Sequence, residues 1–353
     1  MYSMDRLLSS RLRWLEDEGP RSDVVLSTRI RLARNLTGHS FPERAQADEL
    51  VAVREKVLAA VARSNYFAGS TVVRMEEAGE AAREVLAERH LVSRGLTERP
   101  EGRAAIIDKQ EVVSAMVNEE DHVRLQCIRP GLAPITSWDL AGRVDREMDR
   151  NLHYACSGEW GYLTACPTNV GTGLRVSVLL HLAGLVKERK IAQVLGSVSK
   201  LGLAVRGYYG EGSSPFGAFF QISNQTTLGQ TEEDLAYTVE RVGGQIAELE
   251  TEARKRLLSR STRLLEDEVH RAHGVLANAR LLTVDEVMRH CSSLRLGVAL
   301  GLIDGVRVQT VNRLLVITQP GHLAYAFFGQ DPSEVGDAAR ADLVRGELAA
   351  GVS

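Results

Sequence analysis

Between Val24 and Leu32 the chain alternates: Val24, Leu26, Thr28, Ile30 and Leu32 fall on one parity, and Val25, Ser27, Arg29 and Arg31 on the other. On an extended strand of period two, one face is nearly all apolar and the other presents Ser27, Arg29 and Arg31 together. Short alternations of this kind, mixed with glycine turns and helical stretches, run on to about Gly229 and predict an α+β domain. Strands then mostly disappear. Thr231-Glu232-Glu233-Asp234 fits a capping box, and Leu235, Val239, Val242, Ile246 and Leu249 recur on one face of a predicted long helix. From about Ser261 the pattern is helical almost throughout, with a second capping box at Thr283 to Glu286 and a break at Gln319-Pro320-Gly321. This divides the chain into an extension (1–22), a mixed domain (23–258) and a helical domain (259–353). The Arg/Glu-rich run from Glu76 to Arg103 reads as solvated helix and loop.

A chain of 353 residues can bury a substantial core, and one large domain with a smaller one is the natural prior. With 43 basic and 46 acidic residues the formal charge is −3, so no global bias points to nucleic acid or an anionic membrane. Any anion site must come from local clustering. Cys127, Cys156, Cys166 and Cys291 are widely spaced with no Cys-x-x-Cys pair, against a zinc site or a disulfide framework. Met1 to Arg13 carries no apolar leader-like run and no stretch is long enough to span a bilayer, so a cytoplasmic protein is expected.

Four segments carry candidate chemistry. Arg29 and Arg31 repel one another unless an anion lies between them, although a solvent-exposed strand face would look the same. In Val112 to Gln126, three consecutive acids interrupt a strand-like run. If it stays extended, Glu120, His122 and Arg124 share a face, with Glu120 and Arg124 about 13 Å apart at roughly 3.3 Å per residue; a tight acidic turn between two strands is the other reading. Ala165 to Arg175 places glycines and hydroxyls ahead of an apolar run through Val178, Leu179, Leu182 and Leu185 that reads as a helix, with Arg175 in its first turns. It lacks the Gly-Lys-Ser/Thr ending of a phosphate-binding P-loop, and a ligand-free glycine turn is equally open. Leu203 to Ser213 is a strand running into a loop that flanks Glu211 with Gly210 and Gly212, suited to closing over a substrate or to a plain hairpin. Together they supply Arg29, Arg31, Arg124, Arg175 and Arg206 with two loop carboxylates, Glu120 and Glu211. Such a set suits a nucleoside triphosphate held opposite a guanidinium.

Asn-Glu-Glu-Asp-His at 118 to 122 and Cys-Pro-Thr-Asn-x-Gly-Thr at 166 to 172 resemble the signatures of the phosphagen (guanidino) kinases. The surrounding residues 26–35, 161–166, 206–212, 221–225 and 228–229 are similar to the bacterial protein-arginine kinases, the McsB branch, over about residues 22 to 255. The resemblance implies an antiparallel sheet flanked by helices followed by an all-helical C-terminal domain. It implies phosphoryl transfer from ATP with Mg²⁺ to arginine side chains of proteins. Glu120 would be the base on the guanidinium, Glu211 a second carboxylate clamping it, and Cys166 a thiol beside it. ATP contacts would come from Ser27, Thr28, Arg29, Ile30 and Arg31, from His90 and Arg124, from Arg175, Val176, Ser177, Val178 and Leu179, and from Arg206, Gly207, Tyr208, Tyr209, Gly210 and Glu211.

Classical small-metabolite members carry a helical domain ahead of the catalytic one. Here only about 22 residues precede the first motif, which predicts a more open site. The C-terminal helices would serve homodimerisation and phosphoarginine binding, and the expected partners are proteins with exposed arginines, an activator protein and Clp protease machinery. One departure stands out. The family's Arg-Asp-x-x-Arg-Ala reads here Gly336-Asp337-Ala338-Ala339-Arg340-Ala341, which leaves Asp337 and Arg340 as either a weakened phosphoarginine pocket or an i,i+3 surface pair. The rival activities are a kinase for a free guanidino metabolite and a non-catalytic phosphoarginine-binding adaptor.

Overall fold

The computed structural model describes residues 10–207, 217–327 and 332–350, the side chains of 332–335 excepted. Ten strands occur among them: β1 (Val25–Arg34), β2 (Thr71–Arg74), β3 (Ala104–Ile107), β4 (Val113–Val117), β5 (Val123–Pro130), β6 (Cys156–Ser157), β7 (Gly161–Tyr162), β8 (Leu174–His181), β9 (Leu203–Gly207) and β10 (Phe219–Asn224). Eight form one antiparallel sheet in the order β2-β3-β4-β5-β1-β8-β10-β9, and β6 and β7 make a separate hairpin. The helices are α1 (Arg13–Glu16), α2 (Ala47–Ala62), α3 (Glu80–Glu88), α4 (Arg94–Glu98), α5 (Pro134–Leu152), α6 (Ala183–Lys187), α7 (Ile191–Lys200), α8 (Glu232–Asn278), α9 (Val284–Ala299), α10 (Val308–Ile317), α11 (Pro320–Ala326) and α12 (Pro332–Ala350). The expected α+β architecture with a helical C-terminal region is present.

Strand alternation sorts the side chains into two very different faces. On one, Ile30, Leu32, Val123, Leu125, Val176, Val178 and Ile222 pack against α2, α5 and the first half of α8. The other face is apolar only at its margins. At one margin Leu26, Ile128, Leu179 and Phe219 meet Trp14, Leu15 and the C-terminal helices through Met288, Cys291, Leu314 and Leu315. At the other, Ala105, Ile107 and Met116 are covered by Met75, Leu86, Leu91 and Leu96. A polar strip lies between them.

Three sequence expectations need correction. Leu26 does not share the Ile30 face: the β1–β8 register shifts between Val25 and Ser27, and this bulge turns Leu26 into the second core cluster. Residues 174–181 form a central strand rather than a helix, because Leu174, Val176, Val178 and Leu180 alternate with Arg175, Ser177 and Leu179 and β-branched valines favour the pleated surface. The run from Glu76 to Arg103 is not simply solvated. It contributes Leu86, Leu91 and Leu96 to a core cluster, and its Arg89, fully buried, pairs with Glu111 at 2.7 Å.

The long helix is α8, capped as its sequence predicts: the Thr231 hydroxyl accepts from the Asp234 amide at 3.1 Å, and the Asp234 carboxylate accepts in return from the Thr231 amide. Leu235, Val239, Val242 and Ile246 are buried, whereas Leu249 is 49% exposed. The buried stripe passes instead to Glu250, whose carboxylate accepts from the Gly184 and Leu185 amides and from Arg254. Non-helical backbone at Ser261 kinks the helix. Thr231→Ala should lower the unfolding free energy by about 1 kcal/mol, read from a denaturant midpoint; an unchanged midpoint would mean the cap contributes nothing.

The C-terminal helices are joined to the sheet through a buried polar joint. Arg254 of α8 and Arg295 of α9 both donate to the Asp23 carbonyl and both approach Nδ1 of His181, while Nε2 of His181 contacts the Ser292 hydroxyl at 2.8 Å. Burial, then Arg295 and Arg254, pushes His181 well below the ordinary histidine range, so it is neutral and accepts at Nδ1.

Candidate active site

The polar strip floors a cavity of about 870 Å³. Antiparallel pairing sets Gln126, Arg31 and Arg175 side by side on β5, β1 and β8, with Arg29 opposite Ser177 in the next row and Arg206 opposite Gln221 on β9 and β10. Arg29, Arg31, Arg124, Arg175 and Arg206 all line the cavity, joined by His90, Glu120 and Cys166. Segments separated by up to 177 residues in sequence thus converge on one face.

The electrostatics call for an anion. Burial, then Arg29, Arg124 and Arg175, depresses the Arg31 guanidinium well below its ordinary value, and its Nε is buried without a hydrogen-bond acceptor. Guanidiniums so crowded are destabilising to the protein alone and complementary to a polyphosphate. Arg124 differs, because the Glu119 carboxylate holds it at 2.6 Å. Burial pushes Glu119 up, but Arg124 and the Ser93 hydroxyl hold it below the ordinary carboxylate value. His90 has a left-handed φ of 61° just after α3, and burial, then Arg29 and Arg31, lowers it to about 3; it is a neutral group at the cavity edge.

Residues 118–122 are a tight acidic turn, not a continuous strand. Left-handed Asn118 (φ 58°) turns the chain, the Asn118 amide donates to the His122 carbonyl at 3.0 Å, and β4 and β5 form a hairpin. His122 therefore does not share a face with Glu120 and Arg124. It is buried on the other side, accepting from the Leu36 amide at Nδ1 and contacting the Ser40 carbonyl through Nε2, and burial lowers it to about 4. Glu120 is half-buried at the rim. Burial, then neighbouring Asp121, raises its carboxyl above the ordinary value, with Arg124 opposing.

Asp121 fixes the turn against the loop that carries Cys166: one carboxylate oxygen accepts from Asn35 Nδ2 at 2.6 Å and from the Ala165 amide at 2.7 Å. Cys166 Sγ lies 3.0 Å from the Thr168 hydroxyl, and the Thr227 hydroxyl donates to the Thr168 and Val170 carbonyls. The glycines of this loop serve close backbone approach. A Cβ on Gly171 (φ 109°) would sit 2.4 Å from the Thr227 carbonyl oxygen. Arg34 braces the loop from below, donating to Asp145 and to the Thr172 carbonyl with its guanidinium 3.5 Å from the Tyr162 ring centroid.

Several residues expected at the nucleotide do not line the cavity. Thr28, Ile30, Val176 and Val178 have the opposite parity and are buried beneath the sheet, with the Thr28 hydroxyl donating to the Gly131 carbonyl. Leu179 packs in the second core cluster, Ser27 is its cross-strand partner, the Ser177 hydroxyl donates to the Arg29 carbonyl, and Gly207 ends β9. Tyr208, Tyr209, Gly210 and Glu211 lie outside the described residues. Arg340 is not a surface group: it is buried, donating to the Thr318 and Leu282 carbonyls and paired with Asp337, and space around Gly336 is open.

Sequence reading missed Ser93, Arg94, Gln126 and Gln221, all of which line the cavity or its wall. Gln126 was legible, since it shares parity with Arg124. Leu315, Gln319 and Pro320 come from the helical region and close one side, where the Glu88 carboxylate accepts from the Gly321 and His322 amides and meets His322 Nδ1 at 2.6 Å. Among the described residues no cluster of three His, Cys, Asp or Glu is placed to hold a metal ion, and no helix is long and apolar enough to cross a membrane.

Residues 52–253 match the ATP:guanido phosphotransferase C-terminal catalytic domain, and residues 262–352 match the protein-arginine kinase McsB C-terminal domain. The chain is 42% identical over 339 residues to a protein-arginine kinase of Desulforamulus reducens, covering 95% of each, and 41% identical over 337 residues to that of Bacillus subtilis, covering 95% of this chain and 93% of that one. In fold it is similar to lombricine kinase, with a TM-score of 0.59 at 23% identity over 70% of each chain.

Proposed function

Since the chain belongs to the ATP:guanido phosphotransferases, and within them to the protein-arginine kinases, we propose that the arginine-floored cavity holds ATP and presents a protein arginine to Glu120. The observation that carries this assignment is that Arg29, Arg31, Arg124, Arg175 and Arg206 line one cavity together with the half-buried Glu120, whose carboxyl pKa is raised. The enzyme transfers the γ-phosphoryl group of ATP to arginine side chains. A guanidino nitrogen attacks phosphorus, the N–P bond forms as the bond to the ADP oxygen breaks, and ADP leaves with that electron pair. The proton displaced from the nitrogen goes to the Glu120 carboxylate. The arginines spread the charge of the transferring group and hold it in line.

Mg²⁺ would arrive on the phosphates and add further neutralisation. Glu211 would give the guanidinium its second carboxylate, and Cys166 would lie beside it. We place the boundary between the catalytic and C-terminal domains near residue 258, just before the Ser261 kink, and a homodimer, an activator and Clp protease machinery, all in the cytoplasm, complete the reading. Asp337 and Arg340 would form at most a weakened phosphoarginine site, because Arg340 already serves two backbone carbonyls.

The test is intact-mass and phosphoarginine detection, kept away from acid, on a loosely folded protein incubated with Mg-ATP and the enzyme. Mass gain on arginines is expected; turnover of free arginine alone would make this a metabolite kinase. A pH profile adds a second check. Glu120 must be deprotonated to accept the proton, so activity is full above its folded pKa and is lost as pH falls through it. Because that pKa is raised, the acid limb of kcat/KM should lie above the ordinary glutamate range. A limb at or below that range would remove Glu120 from the role.

A further inference from the structure

We infer that Trp14, in the short helix α1 ahead of the sheet, is a positioning residue for the nucleotide: it fixes the His90 ring at the edge of the arginine-floored cavity. The inference rests on ATP occupying that cavity and goes beyond it, because residues 10–16 lie outside both family matches. Three consecutive residues at the end of α3 are each tied to a different part of the chain. The Glu88 carboxylate accepts from the Gly321 and His322 amides of the C-terminal region. The Arg89 guanidinium pairs with Glu111 and donates to the Ser10 hydroxyl at 2.7 Å, and the Arg89 carbonyl accepts from the Trp14 indole Nε1–H at 3.2 Å. At His90 the amide donates to the Ala87 carbonyl, the carbonyl accepts from Gln126 Nε2 at 2.6 Å, and the ring centroid lies 4.8 Å from that of Trp14, the planes tilted by 31°. The φ of 61° at His90 is left-handed, and such backbone persists where the surroundings over-determine it.

Trp14 is itself anchored. The Leu12 amide donates to the Glu16 carboxylate at 2.7 Å, the Leu15 carbonyl accepts from Asn312 Nδ2 at 2.9 Å, and Glu16 pairs with Arg313 at 3.3 Å. Core packing alone does not account for the residue. Leu12 and Leu15 fill the same apolar cluster with plain aliphatic side chains, whereas the indole directs its N–H to the carbonyl just before His90 and its ring to the His90 ring. His90 lines the cavity, and Trp14, which does not, acts on a nucleotide through it. The His90 imidazole is neutral. With the arginines taking the triphosphate, it is left to an uncharged part of the nucleotide, the ribose or the base, through one donor and one acceptor whose directions are set by the ring plane. A ring fixed before binding has less freedom to lose when the nucleotide arrives.

The experiment measures Mg-ATP affinity by calorimetry for the full chain as wild type, Trp14→Leu, Trp14→Phe, His90→Asn and the Trp14→Leu, His90→Asn pair; asparagine tolerates left-handed backbone while removing the ring. Trp14→Leu should weaken ATP binding about three- to ten-fold, with kcat at saturating ATP and KM for the protein substrate within about twofold of wild type. Trp14→Phe, which keeps a ring against His90, should recover most of the loss. In the His90→Asn background Trp14→Leu should have no further effect on ATP affinity, since the two residues act as one unit. Equal losses in both backgrounds, or a melting temperature that falls while ATP affinity stays, would make Trp14 plain core and overturn the inference. A second readout does not need the leucine variant to fold: Mg-ATP should change the wild-type tryptophan emission, and part of that change should be lost in Trp14→Phe. Identical changes in the two proteins would overturn the inference as well. Failure of wild type to bind Mg-ATP would overturn the cavity reading and this inference with it, whereas binding that Arg31→Met weakens and Trp14→Leu does not would remove Trp14 alone.

Discussion

Glu120→Gln is expected to reduce arginine phosphorylation by about 10²–10⁴-fold, the usual contribution of a positioned proton acceptor, while leaving the fold intact and ATP bound nearly as in wild type. The amide keeps the size of the side chain and its place on the β4–β5 turn, which is fixed by other groups: Asn118 donates to the Leu50 and Gly102 carbonyls, and Asp121 is tied to Asn35 and Ala165. What the variant loses is the ability to take the guanidino proton as the N–P bond forms. It also loses a negative charge beside Asp121, the neighbour that with burial raises the Glu120 pKa, so stability should hold or rise slightly. Phosphoarginine yield by mass, together with the ATP-dependent rise in melting temperature, separates chemistry from binding. A rate within threefold of wild type would remove Glu120 from the mechanism.

Arg31→Met should move stability and function in opposite directions. Without nucleotide, Arg31 is a crowded cation whose Nε has no acceptor and whose neighbours Arg29, Arg124 and Arg175 all carry its own sign. Methionine fills much the same length without charge, so the melting temperature of the nucleotide-free protein should rise. With nucleotide the same guanidinium becomes a phosphate ligand, and a hydrogen bond to a charged group contributes about 1.5–3 kcal/mol, so ATP affinity should fall by roughly 10–100-fold. Calorimetric titration and melting with and without Mg-ATP report both effects. A lower melting temperature combined with unchanged ATP affinity would show that the cluster is structural.

Much of this site was legible because strands write their faces into parity. Arg29 and Arg31 fall on one side of β1 by simple alternation, and the arginines at 124, 175 and 206 join them through pairing. The failures have identifiable causes. The run from Leu174 to Leu182 contains enough aliphatic residues to satisfy a helical period, and only its valines and its partners on β1 and β10 decide for a strand. The extended reading of Glu120, His122 and Arg124 failed at Asn118, a residue tolerant of left-handed backbone that reverses the chain. Thr28, Ile30, Val176 and Val178 alternate with Arg29, Arg31, Arg175 and Ser177, so their side chains fall on the buried face of the sheet, away from the cavity. Arg34 with Asp145, and Arg89 with Glu111, were invisible because a buried ion pair is set by packing between segments far apart in sequence.

The wall formed by Leu315, Gln319 and Pro320, with the His181 joint behind it, bears on whether the enzyme is modular. A cut at the Ser261 kink looks convenient on paper, since the two family matches meet there. Such a truncation would uncover Leu26, Ile128, Leu179 and Phe219 on the very sheet that carries the arginines, open one side of the cavity, and leave Arg254 to hold His181 and the Asp23 carbonyl without Arg295. The helical region is a retaining wall of the arginine-floored cavity, and the part of the chain before the kink is not a spare part that could be transplanted without it.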